Sequence, residues 1–248
     1  MAADHRMLRA SEPLARELKT ALEQGDADRL ERLLAVEPAL ACCVVTDDKG
    51  AGRSALHLFA DWPGHRANPR AIVARLAVAG ADLNAPAIAM WHREAPLHWA
   101  ASNDDVALID ALLDAGADIE REGSSINGGS PLSSAVGYGQ WQGARRLVAR
   151  GARTELWHEA ALGLIESIRR RLEGDPALRG ETLSGPFWNA CHGGQLATAE
   201  YLLSQGADLD WHAPWSGQTP LDIARKSGHG DVAAWLLKSG AKRARKTD

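Results

Sequence analysis

Apolar residues recur along this chain at the spacing of short amphipathic helices, and glycine interrupts them at intervals. Leu14, Leu18 and Leu22 fall every four residues, and Leu30, Leu33 and Leu34 mark the inner face of a second segment. Ser11-Glu12-Pro13 reads as an N-cap followed by a proline in the first turn, and Glu37-Pro38 ends the second segment. The clearest unit runs from Glu94-Ala95-Pro96-Leu97-His98-Trp99-Ala100-Ala101 through Asp105 to Leu113 and stops at Ala115-Gly116-Ala117-Asp118. It predicts a tight turn, a short helix, a second helix and a glycine stop. One such unit cannot bury its own apolar face, so its stability requires neighbouring copies.

Copies are present. Ser54-Ala55-Leu56-His57-Leu58-Phe59-Ala60 opens a unit that closes at Gly80-Ala81-Asp82, and Ser130-Pro131-Leu132 opens one that closes at Gly151-Ala152. Gly185-Pro186-Phe187-Trp188 opens another that ends at Gly206-Ala207-Asp208, and Gln218-Thr219-Pro220-Leu221 a last that ends at Gly240-Ala241. Gly80 to Gly116 is 36 residues, Gly116 to Gly151 is 35, and Gly206 to Gly240 is 34. The interval of 55 from Gly151 to Gly206 predicts a shortened unit, with His158-Glu159-Ala160-Ala161 and Ile165, Ile168 and Leu172 but without the Pro-Leu-His turn.

The phased turns and glycines resemble the ankyrin repeat, which opens with Thr-Pro-Leu-His-x-Ala-Ala and closes with Leu-Leu-x-x-Gly-Ala-Asp. The resemblance covers about residues 14 to 241. It implies an all-α ankyrin-repeat solenoid of six to seven helix-turn-helix units, with finger-like turns and a concave groove. The expected boundaries within one domain of residues 1–248 are a capping helix pair at 11–40 and repeats at 53–85, 94–120, 129–156, 157–178 (shortened), 185–212 and 217–242, with a basic tail at 243–248. The insert Asp61 to Pro69 is expected to be a loop, since its two prolines and glycine cannot continue a helix. The resemblance also makes His57 and His98 structural ties between units, and it puts Trp99 on the helix face towards the adjacent repeat, where we read it as core.

Composition narrows the partners. A formal charge of −4 argues against nucleic acid, and the six-residue basic tail reads as a solvated end. No run of about 18 apolar residues and no apolar leader core is present, so no membrane span is expected and the expected location is cytoplasmic. Cys42, Cys43 and Cys191 lack metal-type spacing and suit reduced, packed thiols. No two histidines lie at the i, i+4 spacing that preforms a metal site, so neither a metal nor another cofactor is expected.

Tryptophan is the outlier, with nine Trp against two Tyr and two Phe. Aligned on the repeat, Trp91, His92 and Trp215 fall near finger tips, and Trp62, Tyr138 and His192 fall at the ends of first helices, facing the groove. Trp188 takes the place of the structural His, and Trp157 and Trp211 fall where fingers begin. Trp-His occurs three times, at 91–92, 157–158 and 211–212, where chance gives roughly 0.3. The fingers from Gly80 to Ala95 and from Gly116 to Ser130, at 15 and 14 residues, exceed the ordinary length of about 12.

Large rigid aromatics anchor partners at small entropic cost, and the family's groove mostly binds proteins, so a protein or peptide partner is the expected function. The contacting residues would be Trp62, Trp91, His92, Tyr138, Trp157, His158, Trp188, His192, Trp211 and Trp215. One alternative is a small-molecule, cationic or hydrophobic ligand held by Trp faces, with Asp61, Glu155 and Asp210 as balancing charges. Another is an enzyme using His92, His158, His192 or His212 as acid or base, oriented by Glu159 or Asp210. No phosphate loop, His-Glu-x-x-His pair or nucleophile elbow accompanies those residues.

Overall fold

The structure is a computed structural model that describes residues 6–90 and 92–242. Among the described residues the α-helices come in seven pairs. In the first unit, Met1–Ala152, these are α1 (Pro13–Glu23) with α2 (Ala27–Val36), α3 (Ala55–Ala60) with α4 (Pro69–Val78), α5 (Pro96–Ser102) with α6 (Val106–Asp114), and α7 (Pro131–Gly137) with α8 (Trp141–Ala149). In the second, Arg153–Asp248, they are α9 (Leu156–Leu162) with α10 (Ile165–Gly174), α11 (Ser184–His192) with α12 (Leu196–Ser204), and α13 (Pro220–Lys226) with α14 (Gly230–Lys238).

Within the first unit the first helices pack side by side, α1 on α3, α3 on α5 and α5 on α7, and the second helices do the same from α2 to α8. Leu18, Leu22, Leu30, Leu56, Phe59, Ile72, Leu76, Leu97, Leu108 and Ile109 are fully buried between them, each contributing about 1.5–3 kcal/mol of apolar transfer. The first helix starts one residue from the expected cap: Glu12 is the cap residue, and its carboxylate accepts from Arg9 N–H. The glycine stops are as expected, with φ of 101° at Gly116 and 97° at Gly151, a region a Cβ disfavours.

A small sheet is added to the helical picture. Strands β1 (Met7–Arg9), β2 (Val44–Thr46) and β3 (Gly52–Ser54) lie in that order, β1 parallel and β3 antiparallel to β2. Three-residue strands carry too little period-2 pattern to be read from sequence. The sheet positions the neighbouring finger. Gly52 exchanges both backbone hydrogen bonds with Ile88, at 2.9 Å each, which lays that finger beside β3 and brings Arg53 towards Glu94.

Residues 61–68 of the insert form a loop, as expected, while Pro69 opens α4, and the loop is tied down. Asn103 Nδ2 donates to Ala60 O at 2.8 Å, His65 N–H donates to Asp105 Oδ2 at 2.6 Å, and Arg66 donates to the carbonyls of Phe59 and Asp61. Asp105 is buried and also caps α6 through Leu108 N–H. On the second helices, Asp110 accepts two bonds from Arg146, at 2.7 and 2.6 Å, and one from Arg150 at 2.7 Å. Hydrogen bonding from Arg146, then from Arg150, holds its carboxyl below the usual range despite burial.

In the second unit α9 packs on α11 and α11 on α13, around Phe187, Leu183, Leu202, Leu221 and Leu236. Two 3₁₀ turns, Pro176–Leu178 and Gly180–Leu183, stand between α10 and α11 where a finger would be, which accounts for the irregular glycine interval. Trp235, on α14, is half-buried, and its ring makes an edge-to-face pair with Phe187 at a centroid distance of 6.3 Å. No helix is long and apolar enough to cross a membrane among the described residues.

Candidate functional site

The opening turns explain most of the histidine chemistry. His98 Nδ1 accepts the Ala95 N–H at 3.0 Å, so the ring is neutral at that nitrogen and its Nε2–H faces Gly129 O at 3.3 Å, in the next finger. His57 is equivalent, bonded through Nδ1 to Ser54 Oγ at 2.8 Å and through Nε2 to Glu94 O at 3.0 Å. Both are fully buried. Desolvation pushes His57 down to about 4 and lowers His98 as well. Both are structural ties, as their place in the repeat implied.

His158 belongs with them, which corrects two expectations. Its Nδ1 accepts the Glu155 N–H at 3.0 Å, the same geometry as His98, and burial pushes it down to about 4. A ring that stays neutral and buried is neither a groove contact nor an acid or base near neutral pH. The shortened unit therefore keeps the opening turn as Glu155-Leu156-Trp157-His158, with Leu in place of Pro and Trp in place of Leu. Trp157 stacks on His158 with centroids 3.8 Å apart and donates to Glu155 Oε2 at 3.1 Å. Glu159 does not orient a histidine. It is buried and accepts from Thr154, Ser167 and Arg171 at 2.8–3.0 Å.

Trp188 does what the repeat's histidine would do. It is buried, and its Nε1–H donates to Gln218 O of the following finger at 3.1 Å. It also underlies an aromatic cluster: Trp215 stands edge-on at 5.4 Å, Trp211 lies 5.7 Å from Trp215, and His192 lies 5.5 Å from Trp188 with its Nδ1 2.9 Å from Ser227 Oγ. Of this cluster Trp215 is the open member, 61% exposed, while Trp211 and His192 are half-buried. Neighbouring His212 is exposed. Asp210 is half-buried and accepts from Lys242 N–H at 2.7 Å rather than from a histidine.

In the first unit, two adjoining hollows of about 420 and 260 Å³ share Arg53, Met90, Glu94 and Trp99. The smaller adds Trp62, Tyr138 and Asp61, and the larger adds His92, Asp47 and Lys49. Trp62 follows α3, Trp99 lies on α5 and Tyr138 follows α7, so three successive first helices supply the walls. Trp62 is 80% exposed and Tyr138 52%, with the Tyr138 hydroxyl 2.9 Å from Ser125 Oγ. His92 is exposed at the rim. Trp91 lies outside the described residues, as does the tail at 243–248.

Trp99 is the residue that sequence reading misplaced. It is half-buried rather than core, and it lines both hollows. Its position directly after His98 was the available signal, because that side chain projects from the face of the first helix that the histidine tie leaves open. Gly123 fixes the finger beside it: φ is 136°, and a Cβ there would run into the Arg93 carbonyl. A larger open hollow of about 710 Å³ on α1 and α2 has Glu17, Asp26, Arg29 and Arg32 in its walls and no aromatic anchor. No cluster of three or more His, Cys, Asp or Glu among the described residues has metal-binding geometry.

This arrangement of paired helices, fingers and histidine ties is that of an ankyrin-repeat protein. The ankyrin-repeat pattern matches residues 156–247 as three copies and residues 92–121 as a further repeat. The chain is 31% identical over 145 residues to cyclin-dependent kinase 4 inhibitor B of Rattus norvegicus, covering 58% of this chain and 91% of that protein. The Mus musculus protein of the same name gives the same identity and coverage. The chain belongs to the ankyrin-repeat family. It is also 27% identical over 161 residues to ankyrin repeat and KH domain-containing protein mask-1 of Caenorhabditis elegans, covering 60% of this chain but only 6% of that much longer protein. The human ASB11 ankyrin repeat domain matches in fold, with a TM-score of 0.54, 22% identity, and coverage of 89% of this chain and 96% of that one.

Proposed function

We propose that this protein is a recognition module that binds a protein or peptide partner through the surfaces that fingers and first helices make within its units. The observation that carries the reading is the division of the tryptophans. Trp188 and Trp157 are bonded into opening turns, whereas Trp62 and Trp215 stand 80% and 61% exposed. A large ring left in water at the end of a repeat adds little to folding, and on a partner it supplies rigid contact area. The likeness to a protein named as a kinase inhibitor supports a protein partner over a small molecule. We extend the reading to a single repeat domain over residues 1–248 acting in the cytoplasm, where Cys42, Cys43 and Cys191 stay reduced.

The test is capture of partners by the wild type, Trp62→Ala and Trp215→Ala, with melting curves run in parallel. Specific partners should be lost from at least one variant while the melting temperature stays within a degree or two. Equal capture by both variants refutes the proposal.

A further inference from the structure

The smaller hollow is built from three aromatic rings, Trp62, Trp99 and Tyr138, two carboxylates, Asp61 and Glu94, and one cation, Arg53. Arg53 already shows what these walls accept. Its guanidinium carbon lies 5.7 Å from the Trp99 ring centroid and its Nη1 lies 3.6 Å from Asp61 Oδ2, so a planar cation sits between an aromatic face and a carboxylate. That internal pair cancels in charge. Glu94 is left over: no Lys or Arg forms an ion pair with it among the described residues. Its Oε1 accepts the Ser125 N–H at 2.8 Å, which fixes the carboxylate in place without neutralising it. The adjoining hollow adds Asp47 and Lys49, one charge of each sign, and leaves the balance negative.

Three kinds of side chain could enter. An anion would meet the Glu94 charge and the negative faces of the rings. A neutral apolar group would cover the rings but strip water from Glu94 without replacing it, which is costly. A guanidinium satisfies both, since it stacks on indole and presents paired donors to a carboxylate. We infer that this hollow receives an arginine side chain of the partner, stacked against the exposed Trp62 and Tyr138 rings and paired with Glu94. The inference rests on the proposed recognition function and names the chemistry of its ligand.

The test is fluorescence anisotropy with a fluorescein-labelled peptide of alternating glycine and arginine, compared with the same peptide carrying neutral citrulline in place of arginine. Expected is binding of the arginine peptide, with at least tenfold weaker binding of the citrulline peptide. Trp62→Ala should weaken the arginine peptide about 5- to 30-fold, the range of a desolvated cation–π contact. Glu94→Gln, which keeps an acceptor for Ser125 N–H, should weaken it several-fold. Asp231→Asn, an exposed carboxylate of α14, removes the same charge and should leave binding unchanged. Equal binding of the two peptides, no binding of the arginine peptide at millimolar protein, or a Glu94→Gln variant equal to wild type each overturns the inference. If partner capture still depends on Trp62 in that case, the recognition function stands and only its arginine chemistry falls.

Discussion

Acid should destabilise this fold well before its carboxylates are protonated, because its opening turns are closed by neutral, buried histidines. The perturbation is a fall from pH 7 to pH 5. His57 and His158 titrate at about 4 in the folded chain, against an ordinary value of 6.5. A depressed histidine pKa means that the unfolded chain binds the proton first. The stabilisation is therefore complete above 6.5 and is lost as pH falls from there towards 4, with no further loss below. Linkage gives about 2 kcal/mol per histidine at pH 5 and about 3 kcal/mol at the limit. His57 lies in the first unit and His158 in the second, so each unit should weaken separately. The assay is urea unfolding at pH 7, 6 and 5, followed by the Cε1 proton shifts of the histidines. The folded His57 and His158 signals should stay unprotonated down to pH 5, and the urea midpoint should fall. A midpoint flat over that range, or either ring titrating near 6.5 in the folded state, would refute the reasoning.

Other outcomes turn on single side chains. Trp188→Ala removes a buried indole and the tie to Gln218, and should cost about 3–5 kcal/mol in urea unfolding, while Trp188→His should recover a large part of it. Asp110→Ala leaves Arg146 and Arg150 without their shared acceptor; because both arginines are partly exposed the loss should be about 1–3 kcal/mol. Ellman's reagent should find Cys43 and Cys191 unreactive in the native protein and all three thiols reactive in denaturant, since burial raises the Cys43 thiol to about 11 and Cys191 higher still.

The fold was legible wherever a repeat repeats. Helix pairs, glycine stops and the loop at 61–68 arise from apolar spacing and from residues that cannot continue a helix, and those signals act within a few residues. What the local signals did not carry is informative. The small sheet depends on residues 7–9 and 44–46, far apart in sequence and only three residues long. The Glu155-Leu156-Trp157-His158 turn was hidden because three of its four positions depart from the repeat, yet backbone geometry asks only for an imidazole three residues after the cap. Trp99 looked like core because the repeat puts it on the helix face towards the adjacent unit. Its place directly after His98 fixes its face on the helix, but how far the neighbouring repeat covers that face is tertiary information. Likewise the Trp-His pairs share a spelling but not a role: Trp157 and His158 close a turn, while Trp211 packs beside Trp215 and His212 faces water.

The central claim is that the exposed rings on the finger and first-helix surfaces of the units touch a partner. Site-specific photocrosslinking addresses it directly, with p-benzoylphenylalanine placed at 62, 138 or 215, and at 78 and 237 as exposed apolar positions on second helices. Crosslinks to one partner are predicted from at least one of 62, 138 and 215 and none from 78 or 237. Crosslinks to that partner from 78 or 237 and none from 62, 138 or 215 would contradict the claim.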